Sequence, residues 1–152
     1  GPPERYHSGD GGYLNATQTG AAVTGPQAFA QAGIQPGQIQ YASIYDNFTI
    51  MALMQIEDLG FCKKGHGGPF VAEGNLISGR GALPFNTDGG GLCNNHPSNR
   101  GGMTKMIEAV RQLRGEAHPA VQVPDCRFAL AAGPGHVLGV GHGHATVILE
   151  RE

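Results

Sequence analysis

Apolar positions recur along the chain with two periods, and each period marks an element. Met103, Met106, Ile107, Val110 and Leu113 form one stripe of a helix from about Met103 to Arg114, expected to pack into a core and to stop at Gly115. Between Phe48 and Leu59, the side chains Phe48, Ile50, Met51, Ala52, Leu53, Met54 and Ile56 are apolar nearly all the way round. That helix is expected to be buried, capped by Asp46 or Asn47 and ended by Gly60. A shorter Ala-rich helix is predicted from Gly25-Pro26 to Ala32, with Gly33 as its C-terminal cap. Ile39 to Tyr45 is β-branched and aromatic between turn signals, hence a strand with Tyr41, Ser43 and Tyr45 on one face. Arg127 to Ala132 and Ala145 to Glu150 are also strand-like, with Gly133 to Gly143 as a glycine- and histidine-rich connection. Residues 60–82 hold no sustained period and are expected to be an irregular excursion.

The order helix, strand, helix, long loop, helix, strand, strand predicts a layered α/β fold with at least one crossover. At 152 residues, one domain with one core suffices. Residues 1–13, rich in turn formers, are expected to be a flexible arm or tag remnant, and Gly1-Pro2 resembles the scar of a cleaved tag.

Composition removes several function classes. The formal charge is −2 with scattered Lys and Arg, so neither nucleic acid nor an anionic membrane is an expected partner. The longest mainly apolar run, around Phe48 to Ile56, is far below the ~20 residues that span a bilayer, and no signal peptide opens the chain. Cys62, Cys93 and Cys126 are odd in number and far apart, which fits a reducing compartment; a cytoplasmic location is expected.

Candidate chemistry gathers in "NTDGGGLCNNHPSNRGG", residues 86–102. Its glycines allow close approach of the main chain to a ligand, and it feeds directly into the helix near Met103, whose first N–H groups favour anions or carbonyl oxygens. His96, held by Pro97, can donate to a developing oxyanion. His136, His142 and His144 invite a metal reading, but no acidic ligand is near and Gly139, Gly141 and Gly143 suit a tight backbone; no metal is expected. His66 is expected in a loop, Cys93 as a small packed side chain, and Met51 and Met54 as core filler.

Three segments, "YDNFTIMALMQIEDLGFC" (45–62), "LPFNTDGGGLCNNHP" (83–97) and "GGMTKMIEAVRQLRGEA" (101–117), resemble the C-terminal half of the thiolase superfamily. The resemblance covers roughly residues 14–150 and is strongest to sterol-carrier-protein-type thiolases and thiolase-like aldolases of steroid side-chain breakdown. It implies a thiolase-like C-terminal domain over 14–152, a mixed β-sheet packed with helices in layers, incomplete without an N-terminal half that carries the thiolase nucleophile.

In the family's histidine block, Asn86, Gly89, Gly90, His96 and Pro97 match without a gap, while Asn95 replaces a glycine. By resemblance His96 serves an oxyanion hole for a thioester carbonyl. The family's Asn-Glu-Ala-Phe motif corresponds to Tyr45-Asp46-Asn47-Phe48, so a tyrosine stands where thiolases keep an asparagine, as in the aldolase branch. The Cys-x-Gly motif has no cysteine counterpart in residues 130–144, and His136 falls near the vacant position.

The resemblance therefore implies catalytic His96, Tyr45 and His136, with Asn95, Asn47, Gly90 and Gly135 toward the substrate. No cofactor is implied beyond a coenzyme A thioester as substrate. The implied activity is carbon–carbon bond cleavage or formation in an acyl-CoA, leaning to retro-aldol cleavage of a β-hydroxyacyl-CoA. A conventional acetyl-CoA acyltransferase fragment and a non-catalytic binding or assembly module are the alternatives. Implied partners are the N-terminal half or a homodimer, and a zinc-ribbon/OB-fold acyl-CoA-binding protein.

Overall fold

The computed structural model describes residues 17–97, 100–137 and 140–152, with side chains outside 136–142. The expected arm at 1–13 lies outside the described residues. The elements in chain order are α1 (Ala21–Ala32), a 3₁₀ turn (Pro36–Gln38), β1 (Tyr41–Ile44), α2 (Thr49–Asp58), α3 (Gly67–Ala72), α4 (Gly90–Cys93), α5 (Gly101–Arg114), β2 (Phe128–Val137) and β3 (Val140–Glu150).

β1 pairs in parallel with β2, and β2 antiparallel with β3, giving the sheet order β1-β2-β3. The layering and the crossover are those expected from the element order, and the mixed sheet is the one the resemblance implies. Parallel pairing of β1 and β2 requires a crossover, and α5 supplies its packed helix. α5 covers one face against β1 and β2, while α1 packs on β3 with α2 beside it. Strand alternation divides the core accordingly. Ala42, Ile44, Leu130 and Ala132 join Phe29, Ile56 and Leu59; Tyr41, Ala129 and Ala131 join Ala109 and Leu113 of α5.

Several expectations need correction. The glycine- and histidine-rich stretch is the interior of a long strand pair, not a connection: β2 and β3 run on through Gly133↔Ala145, Pro134↔His144 and Gly135↔Gly143. Small residues on both strands let the backbones pair although no apolar alternation announces them. α1 begins four residues before Gly25, with Pro26 inside it, and Gly33 caps it in the left-handed region as predicted. α3 is a short helix within the supposed irregular excursion, and His66 is its N-cap residue.

The helices also bury different faces than their apolar patterns suggest. In α2 the fully buried side chains are Gln55 and Ile56, Phe48 and Ile50 are exposed, and the N-cap is Phe48, without a side-chain cap from Asp46 or Asn47. In α5, Met103 and Ile107 are exposed, whereas Lys105, Glu108, Ala109, Gln112 and Leu113 are buried. The buried polar groups are satisfied: Lys105 pairs with Asp88, Glu108 accepts from Thr87 Oγ1 at 2.6 Å, and Gln112 Oε1 accepts from Val123 N–H at 2.8 Å. α5 thus turns a polar face inward to anchor the loops on either side of it.

Candidate active site

The loop before α4 is fixed to the end of β1 by side chains that imitate main chain. Asn86, at φ 45, accepts from Ile44 N–H and donates to Ile44 C=O, both at 2.8 Å. It extends the parallel bridge between Ala42 and Phe85. Asp46, buried directly after Tyr45, accepts from Gly91 N–H at 2.5 Å, and a Cβ at Gly90 would overlap its carboxylate. Gly90 is therefore required by Asp46, beneath the loop. Asp88 holds the loop's far end: it accepts from Gly90 N–H at 3.0 Å, from Asn95 Nδ2 at 2.8 Å and from the Lys105 ammonium at 3.3 Å.

These braces carry His96 to Tyr45. Tyr45 Oη lies 2.5 Å from His96 Nδ1, and the rings are 5.6 Å apart at an angle of 50°. The phenol ring is confined on two sides. A Cβ at Gly101 would overlap it, and one at Gly133 would stand 3.0 Å from Tyr45 Cβ. The Tyr45 peptide is held as well, its N–H donating to Ala132 C=O at 2.8 Å and its C=O accepting from Gln55 Nε2 at 2.9 Å. Burial, and then the neighbouring Asp46 carboxylate, raise the phenol above its ordinary value. At neutral pH Tyr45 is protonated and can donate to an unprotonated His96 Nδ1. A neutral His96 that accepts at Nδ1 carries its own proton on Nε2, a donor for a ligand oxygen.

Tyr45 and His96 border a cavity of 950 Å³. Its floor is the β2–β3 pair, which contributes the register pairs Ala131↔Val147, Gly133↔Ala145 and Gly135↔Gly143, and Ala132, Pro134 and His144 of the same strands also border it. Phe48, Met106 and Gly102 add to the walls. Asn47 also borders it, and its Oδ1 is buried with no hydrogen-bond partner among the described residues.

The expected site residues divide accordingly. Tyr45, His96, Asn47 and Gly135 come together around one cavity. Gly90 is packed under Asp46, and the Asn95 side chain is turned to Asp88. The His136 and His142 side chains lie outside the described residues. Cys93, expected to be packed, is exposed at the end of the single turn α4. Burial pushes the Cys126 thiol up to about 11, leaving it protonated. The sequence reading missed Asp46, Asp88 and Lys105. The signal available for Asp46 and Asp88 was an acidic residue inside each quoted motif.

The chain thus presents a parallel-then-antiparallel sheet with a tyrosine–histidine pair at the end of its first strand. The family "Thiolase C-terminal domain-like" matches residues 9–151, and the chain belongs to it. Among individual proteins, the chain is 45% identical over 93 residues to the 17-hydroxy-3-oxo-4-pregnene-20-carboxyl-CoA lyase of Mycobacterium tuberculosis, covering 61% of this chain and 23% of that one. It is equally 45% identical over 93 residues to the steroid side-chain-cleaving aldolase of Thermomonospora curvata, with the same coverage. Sterol carrier protein 2 of Oryctolagus cuniculus is 35% identical over 81% of this chain and 21% of its own length. The solved Ltp2-ChsH2(DUF35) aldolase superposes with a TM-score of 0.76 at 36% identity, over 91% of this chain and 34% of that one. The chain spans about a quarter of the length of the two lyase and aldolase relatives.

Proposed function

We propose that this domain supplies the acid and oxyanion-binding groups of a thiolase-like aldolase that cleaves a β-hydroxyacyl-CoA by a retro-aldol reaction. The observation that carries this reading is the 2.5 Å contact between Tyr45 Oη and His96 Nδ1 at the edge of the cavity. In retro-aldol cleavage the Cα–Cβ electron pair moves onto the thioester as an enolate while the β-hydroxyl becomes a carbonyl. His96 Nε2–H stabilises the enolate oxygen, and the Tyr45 phenol gives its proton to Cα. The proton that leaves the β-hydroxyl as the Cα–Cβ bond breaks passes to water, and water returns a proton to the phenolate once Cα has been protonated, so the cycle closes with no net change in protons. A phenol held above its ordinary value suits the role, because it stays protonated until a carbanion forms beside it.

Asn47 and the Gly135 backbone stand toward the substrate in this scheme, and the width of a cavity floored by alanines and glycines suits a bulky acyl chain. His136, whose side chain is outside the described residues, is retained as a candidate for the position of the thiolase cysteine. The names of the two relatives at 45% identity, a carboxyl-CoA lyase and a side-chain-cleaving aldolase, support the reaction class. Thiolysis is less favoured, because Tyr45 occupies the thiolase asparagine's place and residues 127–152 contain no cysteine.

The same reading includes a thiolase-like N-terminal half, dimeric assembly, a cytoplasmic location and a zinc-ribbon/OB-fold acyl-CoA-binding partner. The paired name of the similar solved aldolase supports a partner. The test is incubation of the full-length protein, alone and with a co-expressed candidate partner, with β-hydroxyacyl-CoA thioesters of increasing bulk. Release of a shortened acyl-CoA and a carbonyl product, detected by mass spectrometry, is expected. Turnover only by thiolysis of a β-ketoacyl-CoA would replace the reading.

A further inference from the structure

On the side of the sheet toward α1 and α2 lies a partly buried polar chain. His144 sits on β3 between Gly143 and Ala145, so its side chain leaves the cavity floor and enters the layer of α1 and α2. A Cβ at Gly20 would stand 2.5 Å from His144 Cβ, so the entry to α1 leaves this histidine its room. Its Nδ1 is 2.8 Å from Thr24 Oγ1, and its Nε2 is 3.1 Å from Gln55 Oε1.

Gln55 determines which nitrogen bears the proton. It is fully buried, and its Nε2 donates to two main-chain carbonyls, Tyr45 at 2.9 Å and Met51 at 3.1 Å. That orientation leaves Oε1 facing His144 as a pure acceptor, so the imidazole donates from Nε2 and accepts at Nδ1. Thr24 then gives its hydroxyl proton to Nδ1, and its oxygen accepts from Thr146 Oγ1 at 2.8 Å. The order is Thr146 to Thr24 to His144 to Gln55 to the Tyr45 carbonyl, with the Met51 carbonyl a second acceptor for Gln55 and the Gly20 carbonyl, at 3.4 Å, a longer alternative for Thr24. Burial keeps the imidazole neutral, pushing it down to about 4 against the pull of Asp58, itself paired with Lys64 at 2.7 Å.

We propose that His144 is a positioning residue: through its Nε2–H form it fixes the Gln55 amide, and thereby the Tyr45 peptide from which the phenol is held against His96. Its link to turnover rests on the aldolase reading, whereas its link to Tyr45 does not. With both nitrogens engaged, His144 is neither a general base nor a metal ligand. It acts through Thr24 and Gln55, to which both ring nitrogens are committed, although the residue itself also borders the cavity.

The experiment uses the full-length protein with ¹⁵N-labelled histidine. His144 is expected as the Nε2–H tautomer, neutral as the pH is lowered through its ordinary value. His144→Phe, which removes both ring nitrogens, is expected to shift the His96 resonances and to lower kcat by about tenfold to a hundredfold, with KM nearly unchanged. His144→Gln, whose amide can donate to Gln55, should restore most of kcat. An Nδ1–H tautomer in the wild-type protein overturns the proposal even if the variants fail to fold. Unmoved His96 resonances in His144→Phe overturn it too, as does equal loss in the Gln and Phe variants. A wild-type protein that shows the Nε2–H tautomer and the His96 shift but cleaves no β-hydroxyacyl-CoA supports the positioning role and overturns only the retro-aldol reading.

Discussion

Gly101, the first residue of α5, lies so close to the ring of Tyr45 that a Cβ at position 101 would overlap Cε2 of the tyrosine. The start of the helix and the placement of the phenol are therefore one packing problem. Gly101→Ala tests it because two effects oppose each other. Alanine improves helix propensity by up to about 1 kcal/mol, while overpacking costs about 1–3 kcal/mol. Near the helix end the first effect is small, so the second wins. Urea unfolding should show a lower midpoint, and kcat should fall as Tyr45 moves off His96.

Tyr45→Phe keeps the ring and removes the proton. Steady-state kinetics on the full-length protein should show kcat reduced by about 10²–10⁴-fold with little change in KM. Unchanged turnover would remove Tyr45 from the chemistry. His96→Ala should lose activity by about 10²–10³-fold while the circular dichroism spectrum stays that of the wild type. Full activity in a stable His96→Ala protein would make the histidine a loop residue.

Lys105 and Asp88 are both buried, with side chains 1% and 7% exposed. Lys105→Met leaves the Asp88 carboxylate without its cation and is expected to cost about 3–5 kcal/mol in urea unfolding. Lys105→Met combined with Asp88→Asn should recover part of that loss, because no buried charge then lacks a partner. An additive double variant would show that the pair is not coupled.

His144 gives the stability a direction with pH. Its value is lowered from 6.5 to about 4 in the folded chain, so between those limits the unfolded chain binds more protons. The contribution is complete above the unfolded value and is lost as pH falls toward 4, with a span of about 3 kcal/mol. Comparison of urea midpoints for wild type and His144→Gln through this window isolates the effect. The wild type should lose more stability on acidification, and parallel curves would place the titration elsewhere.

The sequence disclosed the elements better than their orientation. The β-branched run at Ile39 to Tyr45 and the helix ending at Gly115 were legible because their local signals and tertiary roles agree. The α5 stripe was legible only in part, with Leu113 in the core and Met106 packed against it but Met103 and Ile107 exposed, because Lys105, Glu108 and Gln112 are buried by specific partners in distant loops, and hydropathy does not register such partners. The inner part of the long strand pair was hidden because its cavity face there, Gly133, Gly135, Gly143 and Ala145, is built of Gly and Ala, where no hydrophobic alternation can appear. Tyr45 and His96 were found by resemblance to motifs. Their 51-residue separation gives no local hint that they touch. Gln55 and His144, 89 residues apart, had neither motif nor period to announce them.

The cavity floor separates shape from scaffold. Each register pair beneath the ligand space is joined by main-chain hydrogen bonds that are independent of side-chain size, so the backbone of β2 and β3 is indifferent to what stands on it. Ala145 and Val147 are exposed positions on that floor, and neither side chain takes part in the hydrogen bonds that hold Tyr45. On the aldolase reading, the shape of the ligand space can therefore be altered by point changes at such sites while Tyr45 and His96 stay in register.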